Sequence, residues 1–68
     1  MISAIEIQTW LLELQAERAL AAMEGLAVNS AYMADLEGEI EETARAYVGA
    51  AVTEIASFRA ELSAPQVG

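Results

Sequence analysis

Residues 5–23 carry two separate apolar stripes at helical spacing, and one further helix can cover only one of them. Placed at about 100° per residue, Ile7, Trp10, Leu11, Leu14 and Ala21 form one stripe, and Ile5, Leu12, Ala16, Ala19 and Met23 form the other. Gln8, Gln15 and Arg18 lie between the stripes, while Glu6, Glu13, Glu17 and Glu24 take the opposite face. One stripe packs against one surface, so two stripes imply two neighbours. A chain of 68 residues has material for one. The pattern therefore predicts a bundle assembled from more than one copy.

The small size points the same way. A chain this short buries only about 60% of its unfolded surface, and below about 70–80 residues one core rarely supplies more than about 3–5 kcal/mol. The sequence has no cysteine, so it has neither disulfides nor a thiolate metal site. It has no histidine either, which removes the commonest zinc, iron and copper ligand. Self-association or unusually regular helix packing remains.

Local signals set the helix boundaries. Ser3 followed three residues later by Glu6 is a capping box. The first helix is expected over 3–24, with Gly25 as the residue that ends it. Residues 25–30 read as a short connection, and Asn29 or Ser30 can cap a second helix over 30–62. Gly38 and Gly49 each cost this helix about 1 kcal/mol against alanine, so a break at either, giving three helices, stays open. Pro65 marks a tail, and 64–68 are expected to fray. The fold class is all-α: one domain over 1–68, an antiparallel two-helix hairpin that self-associates into a helical bundle, most simply a dimeric four-helix bundle. The second helix, about 48 Å against about 33 Å for the first, should overhang its partner at Phe58 and Leu62.

The second helix has its own pattern. Leu36, Tyr47 and Phe58 are spaced by eleven, as are Ile40, Ala51 and Leu62, and as are Met33, Ala44 and Ile55. Eleven residues in three turns match a straight helix, not a long left-handed coiled coil. Of these positions, Leu36, Ile40, Tyr47, Ile55, Phe58 and Leu62, together with Ile7, Trp10, Leu11 and Leu14, are the expected core or oligomer interface. Trp10 reads either as a core residue or as an interface hot spot, and in a dimer the two readings merge. Gly49, Thr53, Ala56 and Ala60 form a ridge of small residues on another face, which would let a neighbouring backbone approach.

Eleven acidic residues against three arginines give a net charge of −8. That balance opposes binding to nucleic acid, whose affinity comes from cations neutralising phosphates, and to an anionic membrane surface. No apolar run reaches the about 18 residues of a spanning helix, and no basic segment precedes an apolar block as in a signal peptide. A cytoplasmic protein is expected. Abundant alanine with arginine as the sole cation suits a GC-rich genome, bacterial or phage.

The densest polar feature is Asp35, Glu37, Glu39, Glu41 and Glu42. It reads as a solvated face, or as a docking patch in which Asp35, Glu37, Glu41 and Glu42 meet a basic protein. Its spacing is not that of a calcium loop, and no metal or cofactor is expected. Glu41 and Arg45 stand at i,i+4 in the favourable order. Gln8 and Gln15 can pair across a symmetric seam and fix register, or lie exposed at an edge. Arg18, on the same strip, reaches a glutamate of another chain or stays exposed. No hydroxyl has a histidine or lysine to activate it, so no catalytic residue is assigned.

The segment Ala21-Ala22-Met23-Glu24-Gly25-Leu26 resembles the inhibitory helix of the small antitoxins that block Fic-type AMP-transferases. That resemblance implies that Glu24, followed by Gly25, would obstruct productive ATP binding in a target enzyme. Those antitoxins carry Ser or Thr four residues before the glutamate, and this chain has Leu20 there. The function expected is a small, acidic, non-catalytic interaction module or accessory subunit. The alternatives are an enzyme inhibitor, Fic-antitoxin-like or an acidic decoy mimicking nucleic acid, and a structural subunit of a larger assembly such as a phage particle.

Overall fold

Ser3 opens the first helix from extended backbone (φ −82°, ψ 159°), its Oγ accepting the Glu6 amide at 3.3 Å. The computed structural model describes residues 2–63. Helix α1 spans Ala4–Met23. The Glu24 amide donates to the Leu20 carbonyl at 3.0 Å, and the Gly25 amide to that of Ala22 at 3.3 Å. Gly25 then turns into the left-handed region at φ 83°, which favours a residue without a Cβ. Its role as the helix stop follows from that backbone angle and not from crowding, since a Cβ there would meet nothing within 4 Å.

A single 3-10 turn over Leu26–Val28 leads into helix α2, Ser30–Ser63. Of the two candidate caps the chain uses Asn29, whose Oδ1 accepts the Tyr32 amide at 3.1 Å while its carbonyl accepts the Met33 amide at 3.0 Å. Asn29→Ala is expected to cost about 1 kcal/mol, read as a shift of the urea midpoint without a change of slope. Helix α2 runs unbroken through Gly38 and Gly49. Strong helix formers surround both glycines, and two isolated penalties do not outweigh more than thirty continuous backbone hydrogen-bonding positions. The third helix left open by the sequence does not form, and the expected fraying of 64–68 lies outside the described residues.

The helices pack antiparallel. From the turn outward they are bridged by Tyr32 to Glu17, Arg18 to Glu37, and the Ala4 amide to Glu54. Among the described residues only Ala4, Ile7, Ala21 and Leu36 are buried. The first apolar stripe of α1 is the one that faces α2, with Ile7 and Ala21 buried and Leu11 and Leu14 half-buried. On α2 the inner face runs through Leu36, Ile40, Ala44, Tyr47 and Ala51, buried or half-buried in turn. Beyond Glu54 there is no α1 left to cover it. The next nine residues, about 13 Å of helix, project past the hairpin, and Ile55, Phe58 and Leu62 are 55%, 61% and 70% exposed. Neither helix is long and apolar enough to cross a membrane.

Candidate functional site

The hairpin has two sides between its helices, and they differ in chemistry. One is an open groove of about 400 Å³ lined by Gln15, Arg18, Ala19, Ala22, Ala27, Met33 and Ile40. The other is a shallower cleft of about 290 Å³ between Ile2, Ile7 and Trp10 on one wall and Glu42, Thr43 and Ala46 on the other. The small side chains at 19, 22 and 27 hollow out the first. In the second, Trp10 leans over the seam and remains 46% exposed.

Polar groups add no reactive centre to either side. The Tyr32 hydroxyl donates to Glu17 Oε2 at 2.9 Å. That bond, followed by slight desolvation and the nearby Glu17 and Glu24 charges, holds its pKa above the ordinary 10.0. The phenol is therefore kept protonated, the opposite of what a nucleophile needs. Thr9 and Thr53 direct their hydroxyls back to the carbonyls of Ile5 and Gly49, at 3.1 and 2.9 Å, the usual fate of a threonine inside a helix. Among the described residues no group of three or more carboxylates comes together as metal ligands do. No fully buried side-chain polar atom there lacks a partner.

The expected docking carboxylates do not share one surface. Glu37 binds Arg18 at 3.2 Å and lines the first groove's continuation together with Ile40 and Glu41, whereas Glu42 belongs to the Trp10 cleft. Glu41 reaches Arg45 at 3.9 Å, the helical pair its spacing suggested, with both side chains 75% exposed. Exposed pairs of this kind contribute about 0–1 kcal/mol. Arg18 thus finds its glutamate within its own chain. Asp35 is exposed on α2. Glu24 caps α1 from the turn, so the Glu24-Gly25 pair stands at a helix end and not within a helical turn.

Glu54 is a polar residue that the sequence pattern did not single out. Its Oε2 accepts the Ala4 amide at 2.6 Å, across 50 residues. A carboxylate at that point meets an unpaired helix N–H and the positive end of the α1 dipole together. Of the expected capping box only the Ser3 half forms, its Oγ accepting the Glu6 amide while the Glu6 side chain does not reach back; the Glu54 acceptor is brought in only by the antiparallel register. The second apolar stripe of α1 remains outside: Ile5, Leu12 and Met23 are exposed, as are Ala16 and Ala19. Gln8 and Gln15 are exposed beside it.

No family model, curated protein or solved structure matches the chain. The surfaces just described are what bear on its role.

Proposed function

We propose that this protein is a non-catalytic protein–protein interaction module, an accessory or regulatory subunit acting in the cytoplasm through its helical surfaces as a self-associated bundle. The observation that carries this reading is the imbalance of its apolar side chains. Thirteen large hydrophobic residues are exposed among the described residues, against two large ones, Ile7 and Leu36, that are buried. Scattered exposed leucines are ordinary, but contiguous apolar faces on a small chain mark contact surfaces. The polar contact for a further partner falls to the exposed carboxylates of α2, Glu37 and Glu41 beside the groove, Glu42 at the Trp10 cleft and Asp35, which suits a basic protein that reaches more than one side of the helix. Steering between opposite charges would make that association fast and salt-sensitive.

Capture from the native host with wild-type protein and with Glu37, Glu41 and Glu42 all reversed to lysine tests this. The wild type is expected to retain a basic protein that moderate salt releases, and the reversed variant to capture it more slowly. Capture that is unaffected by the reversal would move the contact elsewhere, and no retained partner at all would sink the reading. Charge mimicry, an acidic decoy that occupies a nucleic-acid-binding protein, is the second reading. It is favoured by the net charge of −8, which already counts all three arginines.

A further inference from the structure

Trp10 stands on the wall of the shallower cleft, about 290 Å³, and remains 46% exposed there. That volume falls below the roughly 300–1,000 Å³ of small-molecule pockets and suits one long side chain of another protein. The surroundings of the cleft carry one sign of charge. Glu42 lines the opposite wall. Glu6 and Glu13 stand one turn before and after Trp10 on α1, and Glu39 one turn before Glu42 on α2, so helical spacing puts all three on this side. All four carboxylates are exposed. The arginines are elsewhere. Arg18 lines the groove, and Arg45 binds Glu41 beside that groove. Arg59, fourteen residues on from Arg45, returns to within about 40° of the same side of α2. Among the described residues no arginine forms an ion pair with any of the four.

We infer that this cleft receives an arginine of the basic partner, its guanidinium laid on the Trp10 indole and its N–H groups turned to Glu42. This contact rests on the interaction-module reading and gives that partner its anchor. Charge and aromatic chemistry select the occupant together. The face of an indole is the negative part of its quadrupole, so the ring and the nearby carboxylates gain nothing from each other. A cation set between them is attracted by both. A planar guanidinium does this better than an ammonium, because it stacks on the ring and still offers donors in its plane to a carboxylate. Ile2 and Ile7 beside Trp10, with Ala46 opposite, suit its hydrocarbon stem, which buries along apolar surface while the charged head stays in polar surroundings. A second copy of this chain is the wrong occupant for this side. A two-fold contact sets the same patch against itself, which here would bring carboxylates to carboxylates with no arginine to separate them, and like-charge repulsion opposes that pairing. The groove side offers no equivalent, since its carboxylates Glu37 and Glu41 already hold Arg18 and Arg45.

Trp10 is the sole tryptophan, so its emission reports the cleft directly. The probe is a synthetic peptide of alternating arginine and glycine, titrated at about 0.15 M salt, where exposed charges more than about 8 Å apart are largely screened. Calorimetry is expected to give saturable binding, with the Trp10 emission changing at the same midpoint. Trp10→Leu and Glu42→Gln should each weaken binding by about fivefold. Glu41→Gln, which removes the same charge from the groove side, should weaken it by no more than about twofold. Exchanging every arginine of the peptide for lysine should weaken binding to the wild type, and should make little difference to Trp10→Leu. Should Trp10→Leu fail to fold, the emission change and the comparison of Glu42→Gln with Glu41→Gln still decide the side. Equal losses for those two variants, with the emission unmoved, would overturn the assignment, as would a wild type that does not bind the arginine peptide. A lysine peptide bound equally well by the wild type would overturn the choice of arginine. Each of these failures leaves the interaction-module reading to the capture experiment, which depends on no one cleft.

Discussion

Leu36→Ala is expected to lower stability by about 2–5 kcal/mol, and to leave the chain largely unfolded at room temperature. Leu36 is 4% exposed and is the most deeply buried large side chain among the described residues. Removing it opens a cavity between two helices that have no third layer to collapse into the space. A core of this size supplies no more than about 3–5 kcal/mol, so one such loss is comparable with the whole. Circular dichroism during urea denaturation, at matched protein concentration, measures it. Glu39→Ala, at an exposed position, should stay within about ±0.5 kcal/mol. Equal losses for the two would mean that the face of α2 turned toward α1 has been misplaced.

Ala21→Leu is expected to cost about 1–3 kcal/mol, an unusual penalty for exchanging two good helix formers. Ala21 is 3% exposed, in the last turn of α1 before the stop at Gly25. The short connection ties the two helices together here, so they cannot part to admit three more carbons. Ala16→Leu is the control, because position 16 is exposed on the outer stripe and should change stability by only a few tenths of a kcal/mol. A thermal melt that leaves Ala21→Leu as stable as the wild type would show that the helices separate freely near the turn. The buried position would then reflect abundant alanine and not a close approach.

Much of the hairpin was legible in the sequence because its signals are local. Ser3 with Glu6, Gly25 and Asn29 set the helix ends through contacts within a few residues. The apolar spacing on α1 resolved two stripes, and the structure shows which of them faces α2. Two features were not legible. Trp10 sits at the edge of the inner stripe, and periodicity alone could not tell that half of it would remain in water. Glu54 looked like any surface glutamate, since its partner is the start of the other helix and only the register of the pair brings them together. The greater length of the second helix implied that Phe58 and Leu62 would extend past their neighbour, and both are exposed; Ile55, expected in the core or an interface, is exposed as well.

The bridge from Glu54 to Ala4 has a kinetic meaning as well. Along the hairpin the linked pairs are separated by 15, 19 and 50 residues, from the turn to the open end. Closing a longer loop costs more entropy than closing a shorter one, so pairing starts beside Gly25 and zips outward, and the Glu54 clasp closes last. Opening runs in reverse. The first few residues of α1 are therefore expected to open before the turn end does, and Glu54→Gln to raise amide exchange there while leaving that of the turn end unchanged.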